Sequence, residues 1–475
     1  MAQEFPEADM TKLLFVNFAA RGLKNQLNAQ KNEVQRLWPW TQSADITGLT
    51  GFQYKTDNLS AEYRNLSEIS KVNYIPSIIG FFVDSIRVVG FTRKGEAIPQ
   101  LWDAWNKHDM AQKSSSQMKA ALEYGEGLLY TSIGVDGEPT KSVAVNPAKF
   151  SAFRTNFNDT LPSHVIEDLG NNLYKVYDNK YIYSLSIPDE EDRNVEFLNI
   201  QENGLNRMPF CSVVPNWDIV KETRQSEVDR AINTQKLIFK SIWDTLATSH
   251  SQGFKVRYIT GVELPDEEFD ENGNPVTQNA KNYLQQLRQD SLLVTPNKDA
   301  QIGTLPETPI DGLLKGVESA ITHMATTMFV PLYVFNQGLS NIGLETANIA
   351  NQSTVGKLNG LITRITAPIR YQASLLLAAE GLEVPQEEIE VQFAPVNTLL
   401  LSQFVDALGK TVALLGFPGE VLWSSLVKQG AITPQQLEQA YIVRDKKEAA
   451  QAQFDSQLFG TTPEPSSLPE PSVEV

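Results

Sequence analysis

Apolar residues recur along this chain at two spacings, and the switches between them divide it into segments. Leu13, Leu14, Phe18, Leu23, Leu27 and Val34 fall at helical intervals and predict a helix over 11–37 that gives way to Trp38-Pro39-Trp40. Apolar density then rises from Tyr74 to Phe91, through Ile75, Ile78, Ile79, Phe82 and Val83, then Ile86, Val88 and Val89. This segment reads as a helix from Pro76 that finishes as a strand near Gly90. A short segment, Ile98 to Asn106, precedes a helix from about Met110 to Tyr124 that stops at Gly125.

Over 126–215 the spacing shortens. Leu128-Leu129-Tyr130, Val143-Ala144-Val145, Val165-Ile166, Tyr174–Tyr177 and Tyr181-Ile182-Tyr183 are brief β-type runs, separated by Asp136-Gly137, Asn146-Pro147, Gly170-Asn171 and Asp178-Asn179. They predict strands in a meander. The helical period returns at Arg224 and holds to about Ser249, with Val228, Ala231, Ile232, Ile238, Phe239, Ile242 and Leu246 on one stripe. At 1.5 Å per residue this helix is roughly 40 Å long.

A compact insert occupies 252–308, with strands expected at Lys255–Ile259 and Ser291–Thr295 and a helix near Asn279–Arg288. A second amphipathic helix, Ile310 to Phe329, carries Ile310, Leu313, Leu314, Val317, Ile321, Met324 and Met328, and stops at Val330-Pro331. Loop-like residues 332–343 lead into a segment from Leu344 to Ala379, about 55 Å if continuous, in which Pro368 predicts a kink or a break. A strand at Ile389–Phe393 and helices at 396–415, 418–429 and 434–453 follow. The tail 460–475 is rich in Pro, Ser and Glu and predicts disorder. The fold class is α+β and helix-rich.

A chain of 475 residues exceeds one ordinary core. No stretch approaches the roughly 20 apolar residues that span a bilayer, and Glu4, Glu7 and Asp9 have the wrong sign for a secretory leader. A single cysteine, Cys211, excludes an internal disulfide framework. These features predict a protein made in a cytoplasm, with no membrane partner. The net charge of −17 argues against a tight clamp on nucleic acid, but not against a surface along which it slides.

Catalytic chemistry is sparse. His108, His164, His250 and His323 lie in separate segments without metal-ligand spacing. Leu408-Gly409-Lys410-Thr411 ends like a phosphate-binding loop, yet Phe404 stands where the earlier glycine is required. The Glu268–Gly273 stretch superficially resembles a calcium loop, but its twelfth position is Asn279, which cannot supply a bidentate carboxylate. No catalytic residue, metal or cofactor is expected.

Two long amphipathic helices flanking a small acidic insert suit a ring of subunits, where neighbouring helix pairs cover each other's apolar faces. This layout resembles the stem, clip and stem of tailed-bacteriophage portal proteins. Local sequences resemble that family too: Phe82–Val88, Leu101-Trp102-Asp103-Ala104-Trp105, Ala121–Gly125, Asp136-Gly137-Glu138-Pro139 and Val145-Asn146-Pro147. So does the passage from Met208-Pro209-Phe210 and Val214-Pro215-Asn216 to Gln225-Ser226-Glu227-Val228 and Ile232–Gln235. The resemblance covers roughly 75–380 and lies in the order of elements. One departure is Ile342-Gly343-Leu344-Glu345-Thr346-Ala347, where the family often has an Asn-Ser-Gly-Glu-Ala-like run.

The resemblance implies a wing over 1–223, a first stem helix over 224–251, a clip over 252–308 and a second stem helix over 309–330. A tunnel loop over 331–343, a kinked helix and wing strand over 344–395, crown-like helices over 396–455 and a disordered tail over 456–475 would follow. The subunit would form a ring, usually a dodecamer, at one capsid vertex. It would hydrolyse nothing, and would serve as the channel for DNA packaging and ejection. Its partners would be the terminase motor, the head-completion adaptor, the major capsid and scaffolding proteins, and DNA in non-specific passage. It would reside in the virion, and in the host cytoplasm during assembly.

Specific residues follow from that reading. Asn336, Gln337, Ser340 and Asn341 would face DNA with labile hydrogen bonds. Lys357, Arg364 and Arg370 would face DNA, form intersubunit ion pairs or stay solvated. Glu263, Asp266, Glu267, Glu268, Asp270 and Glu271 would be a partner-facing rim on the clip, or a solvated loop. Ile310, Leu314, Val317 and Ile321 would line the contact between stem helices. Alternatives are another phage structural subunit, of capsid or baseplate, and more remotely a carboxylate-dependent hydrolase.

Overall fold

The computed structural model describes residues 10–42, 61–133, 140–156, 158–189, 194–253, 257–260, 301–304, 309–335, 344–382, 384–396, 410, 426, 432 and 434–459. The chain divides into two compact units: Met1–Gly51, Asn73–Gln235 and His323–Val475 form one, and Phe52–Val72 with Lys236–Thr322 the other. The elements begin α1 (Met10–Thr41), α2 (Ala61–Ile69), α3 (Ile75–Ser85), β1 (Val88–Arg93), β2 (Glu96–Ala97), α4 (Pro99–Lys107), α5 (Met110–Tyr124), β3 (Gly127–Ser132) and β4 (Lys141–Ala144). A meander follows: β5 (Phe150–Phe153), β6 (His164–Gly170), β7 (Leu173–Tyr177), β8 (Tyr181–Ser186) and β9 (Glu196–Glu202). Next come β10 (Phe210–Val213) and the hairpin of β11 (Trp217–Asp218) and β12 (Thr223–Arg224). The remainder is α6 (Glu227–Gly253), β13 (Arg257–Thr260), β14 (Gln301–Thr304), α7 (Ile310–Met328), α8 (Leu344–Ala379), β15 (Glu390–Phe393) and α9 (Pro434–Phe459).

In the first unit the meander is a five-stranded antiparallel sheet in sequence order. Its β6–β7 turn is Gly170-Asn171-Asn172, all at positive φ, which glycine and asparagine tolerate best. One face of the sheet (Ile166, Tyr174, Val176, Leu185) packs under Ala20, Leu23 and Leu27 of α1. The other face (Ala152, Val165, Tyr177) meets Leu128, Phe210 and Cys211 of the β10-β3-β4 sheet, together with Tyr371 and Leu375 of α8. A third sheet, β15-β1-β2, joins residues about 300 apart in sequence through Phe91↔Val391 and Thr92↔Glu390. Helix α5 crosses β3 so closely that a Cβ on Gly127 would lie 2.0 Å from the Gln117 carbonyl. There the Gln117 amide donates to the carbonyls of Gly127 (3.2 Å) and Cys211 (2.9 Å).

Two helices contain an internal proline. Helix α1 continues through Pro39 to Thr41, whose hydroxyl donates to the Trp38 carbonyl (2.8 Å). The carbonyl that Pro39 leaves without its donor belongs to Gln35, an exposed residue, so the lost bond falls on the solvent side of the helix. Helix α8 is not broken at Pro368, and Leu361, Ile365, Ile369 and Leu376 seat both halves in the core.

The second unit contains α2, the β13–β14 pair, α6 beyond Gln235 and α7 before His323. The expected strand at 255–259 is present as β13. Its partner β14 lies at 301–304, while the expected strand at Ser291–Thr295 and helix at Asn279–Arg288 lie outside the described residues. The helices expected at 396–415 and 418–429, and the tail, fall almost wholly or wholly outside them. The helix expected at 434–453 is present as α9.

Candidate functional site

The start of α6 is tied to several other elements of the first unit. Ser226 precedes the helix, and its hydroxyl accepts from the Val228 amide (2.9 Å) while donating to the Glu123 carbonyl (2.6 Å). This caps the helix and fixes its root on α5. The next residue, Glu227, has a side chain only 1 % exposed. Its carboxylate accepts from the Asn216 amide (2.6 Å), from Arg230 (3.5 Å) and from the Lys357 ammonium on α8. Arg364, two turns further along α8, donates to the Pro215 carbonyl (2.8 Å) and to Asn216 Oδ1 (2.5 Å).

Lys357 is therefore engaged within its own chain and buried, whereas Arg364, though bonded to the same segment, remains exposed. Burial draws the Lys357 ammonium below the ordinary lysine value, against the opposing pull of Glu227. Arg370 is half-buried, and its Nε makes no hydrogen bond.

A second buried charge cluster stands beside the first. Glu126 is held by Arg154 (2.6 Å), by Arg224 and by the Ser212 hydroxyl (2.6 Å). Burial resists its ionisation, but the two guanidinium groups outweigh that and hold the carboxyl below the usual range. Arg154 also lies 5.2 Å from the Trp217 ring, at the root of the β11–β12 hairpin. No local motif announces this cluster, because Glu126 and Arg224 are 98 residues apart.

The turn at Leu332–Phe335 docks on α3. Phe335 meets Tyr74 edge-on at 5.4 Å, and Tyr333 meets Phe81 at 6.5 Å. The Tyr74 amide in turn donates to Gln235 Oε1 on α6 (2.9 Å). The chain entering 336–343 is thereby pinned near α6, and α8, which leaves that stretch, is pinned to the root of α6 through Lys357. Asn336, Gln337, Ser340 and Asn341 lie outside the described residues, as do Glu263, Asp266, Glu267, Glu268, Asp270 and Glu271.

The α7 stripe is graded. Ile321 is 6 % exposed, Ile310 and Val317 are half-buried, and Leu314 is 49 % exposed. On α6, Ile242, Trp243 and Leu246 are likewise only half-buried. Among the described residues no three His, Cys, Asp or Glu side chains converge on a metal position, and no helix is long and apolar enough to cross a membrane.

Buried charges join the helices, and the long helices carry half-covered apolar stripes. The chain belongs to the phage portal proteins of the SPP1 Gp6-like family, whose sequence model matches residues 52–452. Among curated proteins none matches it in sequence. In structure it is similar to a chain in the virion of a native gene transfer agent particle, at 13% identity and a TM-score of 0.44, over 76% of this chain and 94% of that one. A chain in the neck of a native gene transfer agent particle, computed with C12 symmetry, matches at 13% identity and 0.42, over 75% and 94%. An HK97 family phage portal protein from Corynebacterium diphtheriae matches at 9% identity and 0.31, over 59% and 76%.

Proposed function

We propose that this portal protein forms a closed ring at one capsid vertex, through which double-stranded DNA is packaged and later ejected. The observation that carries the reading is the graded α7 stripe: Leu314 and its neighbours expose apolar surface that a ring neighbour would cover. In this assignment 1–223 with 344–395 is the wing, α6 and α7 are the stem helices, and 252–308 is the clip. Residues 331–343 are the tunnel loop, and α9 lies in a crown. Asn336, Gln337, Ser340 and Asn341 face DNA, and Arg364, which is exposed, and Arg370 remain candidates to meet DNA or a neighbouring subunit.

The acidic run Glu263–Glu271 offers the terminase motor, and later the head-completion adaptor, a surface complementary to basic groups. Major capsid and scaffolding proteins surround the ring during assembly in the host cytoplasm, and its final place is the virion. The family is structural, so the energy for packaging comes from the motor.

Native mass spectrometry tests the ring: a single species near twelve subunits is expected, and a monomer or a polydisperse shell would overturn it. The loop is tested by deleting Gly338–Asn341, or by Asn336→Glu with Gln337→Glu, at matched portal incorporation. Both variants are expected to assemble but to package or retain less DNA per capsid, the deletion by removing the contact and the glutamates by repelling phosphates in a confined channel. Full genomes in both would remove the DNA-facing role.

A further inference from the structure

A ring built by rotation needs two different patches on each subunit, one meeting the other on the next copy. The first unit carries a matched convex and concave pair. The convex member is the tip of the β11–β12 hairpin, where Ile219 is 74 % and Val220 93 % exposed. This tip is fixed in shape. Asp218 Oδ1 accepts from the amides of Val220 and Lys221, each at 3.1 Å, and Trp217 at the root lies against Arg154. Two large aliphatic side chains thus project into water from an ordered turn, uncovered by their own chain.

The concave member is a cleft of about 400 Å³ walled by Val83, Val88, Met118, Val213, Ile365 and Ile369. Its rim includes the exposed pair Asp84 and Arg87. The residues following the apolar tip are Lys221 and Glu222, both exposed. Each patch thus carries one charge of either sign, so Lys221 can oppose Asp84 while Glu222 opposes Arg87. Trp217 at the hairpin root shares its surroundings with Gln26 and Gln30 of α1, whereas the cleft is walled by Ile365 and Ile369 of α8.

We infer that the Ile219–Val220 tip of one copy seats in the cleft bounded by Val83, Val88, Met118 and Ile365 of the next copy, a wing-level contact separate from the stem helices. This rests on the ring reading above and adds its register. Lys221 then faces Asp84, and Glu222 faces Arg87, across every interface of the ring.

The chain suits a crosslinking test, because its single cysteine is buried. A Val220→Cys/Asp84→Cys variant treated with a short bis-maleimide is expected to give a ladder of covalent multimers up to the full ring. Either single variant should give none. Rings that form normally yet yield no ladder overturn the contact while leaving the ring reading intact. Absence of rings in the wild type overturns the ring reading, and the contact with it.

Because the tip is solvent-exposed, Ile219→Ser/Val220→Ser should leave the thermal midpoint of the unassembled chain unchanged and raise the concentration for half-assembly at least tenfold. Assembly at the wild-type concentration would also overturn the contact. Lys221→Glu should weaken assembly and Asp84→Lys restore it in the double variant; a double variant no better than the single refutes the charge register.

Discussion

The two ends of α7 carry the same apolar rhythm in different surroundings. Toward its C-terminus Ala320, Ile321, Met324, Ala325 and Met328 are all buried within a single chain, whereas toward its start Leu314 is half-exposed and Ile310 and Val317 are only partly covered. A stripe at helical spacing states that a face will leave water, but not which molecule will cover it. Where the stripe is covered inside the chain it belongs to folding. Where it is not, it is available to assembly.

The sharpest way to break this comparison is to place the same charge at each end. Met324→Asp is expected to cost on the order of 4–5 kcal/mol and leave little folded chain, because a carboxylate would be buried without a partner. Val317→Asp should leave a folded monomer of near wild-type thermal midpoint that forms no ring on size exclusion and negative-stain imaging. A Val317→Asp ring, or an unfolded Val317→Asp chain, would each remove the distinction.

Next in size is the tie at the α6 root. Glu227→Leu leaves the Lys357 ammonium buried without its partner, and a loss of about 3 kcal/mol is expected in denaturant unfolding. Glu227→Leu/Lys357→Met should recover most of it, since an apolar pair of similar volume replaces the ion pair. No recovery would mean that Glu227 acts chiefly through Asn216 and Arg230.

A smaller, pH-dependent effect is expected at Glu123. Burial pushes its carboxyl up to about 7 from 4.5, against the attraction of Lys119. Between those values the folded chain holds a proton that the unfolded chain has released, so stability falls as pH rises through the window. Relative to wild type, Glu123→Gln should gain up to ~3 kcal/mol at pH 8 and nothing near pH 4. A pH-independent difference would refute the buried-carboxyl account. The smallest effect is expected from removing 460–475, which should leave ring size and thermal midpoint unchanged.

Helices α3, α5, α6, α7 and α8 were legible in sequence because each carries a long apolar stripe and a clear stop, such as Gly125 or Val330-Pro331. Helix α2 was not, having only nine residues in a polar stretch. Strands β5, β9 and β10 were missed for different reasons. Phe150–Phe153 is short, β9 lacks a buried face, and Phe210–Val213 is buried on both sides and so shows no alternation. The portal family was readable from element order. In the site, Lys357 and Arg364 were recognisable as notable basic residues on a long helix. Their partners were not, since Glu227 lies 130 residues from Lys357 and Asn216 lies 148 from Arg364. The same distance hid the Glu126 cluster.

The outermost strand of the five-stranded sheet has a consequence for the subunit before it meets its partners. Among the described residues β9 bonds only to β8, and it leaves Leu198 and Ile200 exposed at 52 % and 42 %. A bare edge with aliphatic side chains is a template on which further copies can stack strand by strand, without limit. Here Glu196 and Glu202 close both ends of the strand, and a bulge opposite Ser184-Leu185 breaks its register. Paired edge to edge, two copies would bring like charges together and mismatch their ladders. Such gatekeeping disfavours open-ended aggregation while newly made subunits accumulate, and favours contacts whose geometry closes on itself.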